Sequence, residues 1–508
     1  MSMQLSTLLR GTDHRLIAGS TSVGVTSVEN DSRKVGAGSL FVAIMGGVRD
    51  GHSFIEKCIE DGASCIVVDK NREFPSDDEL KAMVQDRNCA IVEMDNTRVA
   101  IAVLCAQFYG HPEDRLNLVG ITGTKGKTTA TFMVRKILEV SGVGTGLIGT
   151  VCNMIGNERR ETERTTPESL DIYRLLNEMA SKRLDSCVME VSSHGLKFSR
   201  VHGLRFDVGC FTNFFEDHIG PQDHPDMEDY FLSKMKLFDN SRIAVVNSDC
   251  NEADRVLEYA SKRCSVFTYG LTDKSDCYAK NIRRENIGGV TGSAFELVSP
   301  WYEGEVFVSL AGEFNVYNAL CAICVAGILK IDFESVKKAL ADVFVPGRVQ
   351  PIKNELGIDV VVDYAHNAAS LQSVIEAIKK FAEGRIITVF GCGGNRSVVR
   401  RTEMGEVAGR YSDYTVITSD NPRDEDPLKI IDGILEGMHR TSGKYEVEPD
   451  RTTAIYKAVK MAQKGDFVLI AGKGHEDYQE FENKRRVHFS DVEVASEIIA
   501  KVTEESKE

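Results

Sequence analysis

The chain has 508 residues, 42% of them apolar, and 61 basic against 76 acidic side chains give a net charge of −15. That length is too great for one hydrophobic core, and at roughly 150 residues per domain it predicts about three. The acidic balance argues against a surface built for nonspecific nucleic-acid binding, and no apolar run reaches the roughly 18 residues of a membrane span. The opening MSMQLSTLLRG lacks the basic region and long apolar stretch of a secretory signal. The 13 cysteines are scattered through apolar runs, which predicts reduced, buried thiols in a cytoplasmic protein. Cys321 and Cys324 share one helix face within NALCAICVAGILK and read as core rather than metal ligands.

From residue 1 to about 98, short strands and glycine turns (SVENDSRKVGAGSLFVAIMGG) precede a helix and the strand ASCIVVD. From about 116 to 345, the apolar strand cores LVGIT, SCVMEV, DVGCFTN and RIAVVN alternate with helical patterns such as ESLDIYRLLNEMAS. Such alternation predicts a parallel sheet covered on both faces. Residues 277–310 read instead as antiparallel strands, and VPGRVQ at 345–350 marks a boundary. Beyond it, IDVVVDYAH, RIITVFGCGG, YTVITSDNPR and DFVLIAGKGHE form a further α/β region. Its strands end in polar, charged tips, which is where open parallel sheets bind ligands. The expected domains are therefore 1–98, 99–345 and 346–508, with KVTEESKE as a solvated tail.

Residues 116–129, LNLVGITGTKGKTT, run from an apolar strand through a loop of small residues into a helix. Gly123 and Gly126 let backbone N–H groups turn toward phosphate oxygens, with Thr124 and Lys125 between them. Lys127 adds a point charge for the outer phosphates, and Thr128, followed by Thr129, offers a hydroxyl to Mg²⁺. The spacing departs from the common phosphate-loop pattern, because Ile121 holds the place of the first glycine. Glu190 ends the strand SCVMEV and Asp217-His218 follow DVGCFTN; strand-end acids beside such a loop suit Mg²⁺. Glu190 alone could equally cap the turn SSHGL, and Lys234 in MEDYFLSKMKLF looks by composition like a surface lysine.

TGTKGKTT resembles the signature of the Mur ligase family, ATP-dependent enzymes that join amino acids to carboxylates. DSRKVGAGSLFVAIMGGVRDGHSF, RTTPES, MEVSSHGL, FNVYNAL, PGR, DYAHN, GCGGNR, SDNPR and AGKGHEDYQ also stand here, in the order found in the UDP-N-acetylmuramoyl-tripeptide synthetases of that family. The resemblance implies an α/β fold of three domains. These are an N-terminal α/β UDP-binding domain, a central P-loop domain with a mostly parallel sheet and helices on both faces, and a C-terminal Rossmann-like α/β domain. It implies that Lys127 and Thr128 hold ATP phosphates and Mg²⁺, with Glu190, His218 and Lys234 completing the metal site. Lys234 matches a carbamylated lysine (N6-carboxylysine), and Lys127, His218 and Lys234 are the catalytic candidates. Asn315 and Asn318 match positions near the base, while Arg348, Asp363 and His366 would meet the nucleotide from the hinge and C-terminal domain.

By the same resemblance, Ser32 and Asp50-Gly51-His52 lie along a uridine diphosphate, and Thr165, Thr166, Ser192 and Arg200 along a muramoyl dipeptide. Without the family, Ser32-Arg33 reads as a turn in an N-terminal hairpin. Asp420, Asn421, Pro422 and Arg423, with Arg401, Gly472 and Glu476, match contacts to the incoming amino acid. In the family, DNPR accompanies meso-diaminopimelate, whose distal carboxylate lysine lacks; a buried arginine facing the wrong substrate would stay unpaired. Taken alone, Arg401 could be a solvated helix charge and Glu476 part of a capping turn.

Four stretches depart from the family pattern. DHIGPQDH replaces DHLDxH with two extra residues before His224, PGRVQ replaces PGRME, DYAHNAA replaces DYAHTPD, and VHFSDVEVA stands in place of an acidic DDRE-like run. The expected function is an ADP-forming amide ligase acting through an acyl phosphate in peptidoglycan precursor synthesis. ATP is the cosubstrate and Mg²⁺ the cofactor; the partners are small molecules, with no nucleic acid or membrane, and the protein is a monomer. The alternatives are a ligase using L-lysine or another diamino acid, a folylpolyglutamate synthetase-like ligase, and a nucleotide-binding module without catalysis.

Overall fold

The computed structural model describes residues 2–46, 50–220, 223–380 and 382–505. Within the quoted motifs, residues 47–49, Pro221 and Gln222 of the lengthened loop, and tail residues 506–508 lie outside that set. The chain divides into two compact units, one of residues 1–131 and 142–268, the other of 132–141 and 269–508.

Among the described residues the first unit contains two large sheets and a two-stranded pair, Met3–Gln4 with Gly24–Val25. In chain order, the smaller has β1 (Arg15–Ala18), β2 (Ser27–Glu29), β3 (Ser39–Val42), β4 (Cys65–Asp69) and β5 (Ala90–Met94), arranged β1-β5-β4-β3-β2. Only β1 runs antiparallel; β2 and β3 are parallel, so Ser32 does not sit in a hairpin. It lies in a 3-10 turn, Ser32–Lys34, where Asp31 accepts the backbone N–H of Arg33 at 3.0 Å. Helix α1 (Thr97–Tyr109) follows, capped by Asn96.

The larger sheet contains β6 (Asn117–Thr122), β7 (Thr145–Ile148), β8 (Asn153–Ile155), β9 (Glu158–Arg160), β10 (Ser186–Glu190), β11 (Phe206–Phe211), β12 (Ser241–Asn247) and β13 (Ser265–Gly270). Their order is β9-β8-β7-β10-β6-β11-β12-β13. β6 lies between parallel neighbours, with Val119 opposite Val188 on one side and Val208 on the other. A strand enclosed in this way reads as a continuous apolar run, and Leu118 to Thr122 are all buried. Helices α2 (Lys127–Val140), α3 (Ser169–Ser181), α4 (Ser193–Lys197) and α5 (Met227–Asp239) connect the strands. The amphipathic pattern of α3 buries Leu170, Tyr173, Leu176 and Met179 on one stripe.

The second unit begins with the expected antiparallel strands β14 (Cys277–Ile287), β15 (Val290–Val298) and β16 (Glu303–Val308). Helix α6 (Glu313–Ile328) is apolar around most of its circumference and almost wholly buried, Cys321 and Cys324 included. Next come β17 (Gln350–Pro351), β18 (Asp359–Asp363), α7 (Ala368–Lys379), β19 (Ile386–Phe390), α8 (Val398–Tyr411), β20 (Tyr414–Ile417), α9 (Pro427–Met438), β21 (Tyr445–Val447), α10 (Arg451–Met461), β22 (Phe467–Ala471) and α11 (Asp491–Glu505). The sheet order is β17-β18-β22-β19-β20-β21, parallel except for β17. The last strand in sequence thus returns to the middle, placing the carboxyl ends of β22, β19 and β20 side by side. All 13 cysteines are free thiols, and among the described residues no helix is long and apolar enough to cross a membrane.

Candidate functional site

In the first unit, the loop between β6 and α2 needs its glycines. Gly123 has φ +143° and Gly126 φ +84°, and a Cβ on Gly123 would lie 2.0 Å from Thr212 Oγ1. Lys127 folds back over the loop, donating to the carbonyls of Gly123 at 2.9 Å and Thr124 at 3.0 Å. Thr128 Oγ1 donates to Glu190 Oε2 at 2.8 Å. The buried Glu190 also accepts from Thr150, from its N–H at 2.8 Å and its hydroxyl at 3.0 Å. Capping of α4 falls to Ser192, not Glu190. Two adjacent hard oxygen donors at a phosphate loop fit Mg²⁺.

Lys234 is not a surface lysine. It is 1% exposed, donates to Gly123 O at 2.8 Å and lies 4.2 Å from the centre of the Tyr230 ring. Burial, reinforced by repulsion from Lys127, holds its amine well below the usual lysine range. Burial also raises the Tyr230 phenol to about 12, and that phenol lies 3.2 Å from Thr124 Oγ1.

His218, half exposed at φ +55°, faces a different set of groups. Its Nδ1 is 3.9 Å from Asp223 Oδ1, which also meets His194 Nε2 at 3.1 Å. One ligand atom from each of these three residues lies within 4.8 Å of the others, a set able to hold a metal ion. Among the described residues, no hydrogen bond joins His218 to Glu190 or Lys234. His224, beyond the lengthened loop, is fully buried, with Nδ1 2.5 Å from Asp229 and Nε2 3.0 Å from Ser193 Oγ. Its pKa is lowered chiefly by burial, against the Asp229 hydrogen bond. It anchors the loop to α4.

A cleft of about 890 Å³ in the same unit is lined by Ser32, Gly51, Arg33, Arg98 and Arg164, among others. Several of its cations are paired: Arg33 with Asp31 at 2.7 Å, Arg160 with Glu178 at 2.7 Å, and Arg164 with Glu168. His52 is buried beside the cleft, its Nδ1 2.6 Å from Asp50 Oδ1. Its Nε2 accepts the Asp69 N–H at 3.0 Å, so the ring braces the turn from within. Thr165 Oγ1 is 3.0 Å from Thr150 Oγ1, and Thr166 Oγ1 donates to Glu190 O at 2.9 Å and lies 3.1 Å from Ser192 Oγ. Arg200 donates to Thr166 O at 3.1 Å. These four residues thus converge on the strand end that carries Glu190.

In the second unit, Asn318 donates to Asn315 Oδ1 at 3.2 Å, both side chains buried on α6. Asp363 accepts the N–H groups of Val349 and Ala365, each at 2.8 Å. Its carboxyl is raised above the ordinary range by burial, which outweighs the opposing pull of Arg348 and these bonds. Arg348 lies 5.8 Å from the centre of the Tyr364 ring, and the exposed His366 packs against the same ring at 4.6 Å.

The SDNPR and GKGHE tips meet directly. Asn421 Nδ2 donates to Glu476 Oε2 at 2.8 Å, and Asn421 Oδ1 accepts from Lys473 Nζ at 2.9 Å. Lys473 is fully buried and lies 3.2 Å from Glu476; it was not singled out as a site residue, although it stands inside a quoted motif. Arg423, at φ +52°, donates to Gly394 O at 2.7 Å and pairs with Glu480 at 3.2 Å. Pro422 O accounts for the GCGG stretch, since a Cβ on Gly394 would lie 1.9 Å from it. Arg401 is 4% exposed rather than a solvated helix charge, and it grips Glu425 at 2.8 and 2.9 Å. Gly472 has φ +119°, and a Cβ there would lie 2.8 Å from Asp420 Oδ2.

Three stretches match known families. Residues 24–109 match the Mur ligase family catalytic domain, 121–326 the Mur ligase middle domain, and 347–474 the Mur ligase glutamate ligase domain. The chain is 41% identical to UDP-N-acetylmuramoyl-L-alanyl-D-glutamate–2,6-diaminopimelate ligase 1 of Clostridium acetobutylicum, over 98% of this chain and 99% of that protein. It is 39% identical to the corresponding ligase of Clostridium botulinum, over 98% of this chain and all of the relative. A solved UDP-N-acetylmuramoyl-L-alanyl-D-glutamate–2,6-diaminopimelate ligase superposes with TM-score 0.71 at 26% identity, covering 99% of this chain and 100% of that one.

Proposed function

The chain belongs to the Mur ligase family, ATP-dependent enzymes of amide-bond formation, and we propose that it joins meso-diaminopimelate to UDP-N-acetylmuramoyl-L-alanyl-D-glutamate. The D-glutamyl side-chain carboxylate takes the γ-phosphoryl group of ATP, releasing ADP. The acceptor amine then attacks the acyl phosphate, and phosphate leaves. No protein nucleophile is required. Lys127 and the loop N–H groups neutralise the transferring phosphoryl group and hold it in line. Thr128 and Glu190 are the donors for Mg²⁺, which would spread the phosphate charge when bound. Ser32 and the arginines of the first unit's cleft fit a uridine diphosphate, and Arg200 fits the dipeptide end. A place for His218 beside Glu190 and Lys234 at the Mg²⁺ site rests on resemblance alone, since its own contacts run to His194 and Asp223. A cytoplasmic setting, with ATP at hand and thiols reduced, completes the reading.

Arg423 is the observation that supports the choice of acceptor. It is a half-buried guanidinium fixed at φ +52° on a strand tip, beside the Asn421–Glu476 pair. A cation next to an ammonium acceptor matches an amino acid with a carboxylate on its far end. L-Lysine would offer that cation nothing beyond its present partners, Glu480 and Gly394 O, and would forgo a charge-assisted bond.

An acceptor panel with the UDP-linked dipeptide, read as ADP formation, tests the assignment. Diaminopimelate should support turnover at least a hundredfold better than L-lysine in kcat/KM. Arg423→Ala should raise the diaminopimelate KM by about 1–3 kcal/mol equivalent, roughly fivefold to 150-fold, and leave the ATP KM unchanged. Equal diaminopimelate kinetics in the two proteins would sink the choice of acceptor.

A further inference from the structure

Strands β20 and β22, separated by β19, lead into the two loops read above as the acceptor pocket. Behind them lies a fully buried ion pair between the first residues of α10 and α11, Arg451 and Asp491, both side chains 0% exposed. Arg451 Nε donates to Asp491 Oδ1 at 2.7 Å and Nη2 to Oδ2 at 2.8 Å, a two-point grip. The same guanidinium donates through Nη1 to Ser419 O at 3.2 Å and through Nη2 to Ala471 O at 3.0 Å. Those carbonyls immediately precede Asp420 and Gly472, the first residues of the two loops. One rigid planar group therefore ties both loop origins to a single carboxylate.

The loops have no slack beyond this tie. A Cβ on Gly472 would lie 2.8 Å from Asp420 Oδ2, and one residue further along each loop Lys473 Nζ meets Asn421 Oδ1 at 2.9 Å. We infer that Arg451, held by Asp491, is a positioning residue that fixes the spacing of the SDNPR and GKGHE loops and thereby sets acceptor affinity. The inference rests on the reading of these loops as the acceptor pocket. A buried ion pair serving stability alone is replaceable by apolar side chains of similar volume. The two carbonyl contacts are not, because no apolar side chain donates to them.

The test uses the full chain, with thermal unfolding and steady-state kinetics at saturating ATP and UDP-linked dipeptide. The double variant Arg451→Met/Asp491→Leu is expected to melt within a few degrees of the parent. Its diaminopimelate KM should rise at least tenfold, while kcat and the ATP KM change less than threefold. Arg451→Lys, which retains the charge opposite Asp491 but loses the fork, should show the same split and provides the answer if the double variant does not fold. A folded variant with a diaminopimelate KM within twofold of the parent overturns the positioning role. Arg423→Ala separates the two readings. If it leaves the acceptor KM untouched, the pocket assignment fails; if it raises KM while the Arg451 variants do not, only the positioning role fails.

Discussion

Lys127→Ala should lower kcat for ADP formation by roughly a hundredfold to a thousandfold while the protein stays folded. The charge acts on the transferring phosphoryl group, where a single preorganised donor contributes about 3–4 kcal/mol. Its structural contribution is smaller. Lys127 donates to Gly123 O and Thr124 O, but Gly123 O keeps a second donor, Lys234, at 2.8 Å. Only Thr124 O loses this bond, a cost of about 1 kcal/mol, or a fall of roughly 2–4 °C in Tm for a domain of this size. A second consequence follows from charge. Lys127 repels the Lys234 ammonium, so its removal raises the Lys234 pKa and shrinks the neutral-amine population. Single-turnover ADP release together with a melting curve is the check, and normal turnover would remove the phosphate-loop assignment.

Features dictated by local backbone geometry were the most legible in the sequence. The loop at 123–126 announces itself because at Gly123 φ is +143° and a Cβ would lie 2.0 Å from Thr212 Oγ1, and the lysine and threonine follow at once. The alternation of strand and helix likewise gave the parallel sheets, and the three motifs at the β19, β20 and β22 tips fell on adjacent carboxyl ends. Long-range burial was not legible. In α5 the exposed positions include Leu232 and Lys236, whereas Lys234 falls on the buried stripe with Tyr230 and Leu237. A reading by polarity inverts that helix at one turn; admitting a lysine to the stripe would have found it. The alternative that leaves Arg401 a solvated helix charge fails for a related reason, since its partner Glu425 lies on another element. Arg451 and Asp491, forty residues apart and each at a helix start, carry no local mark of their pairing. Read without the family, Ser32-Arg33 looks like a hairpin turn, yet β2 and β3 run parallel.

Lys234→Ala should lose most activity, at least a hundredfold in kcat, and short carboxylates such as acetate or propionate should restore part of it. A neutral buried amine can add to CO₂, losing one proton and forming an N–C bond. A cation thus becomes a carbamate whose oxygens suit a hard metal ion and a phosphate-loop environment. Burial and Lys127 both favour that neutral amine, and Gly123 O and the Tyr230 face hold its nitrogen in place. Truncation leaves a cavity the length of the side chain beside the loop, with room for a small free carboxylate. Folding is not the route of the loss, because Gly123 O retains Lys127 as a donor at 2.9 Å and the deleted amine no longer needs desolvating. ¹³C-NMR of the parent protein with labelled bicarbonate should show one carbamate resonance that is absent in the variant. Full activity of Lys234→Ala without added carboxylate would eliminate the carbamate, and the buried lysine would then be a structural prop for the loop.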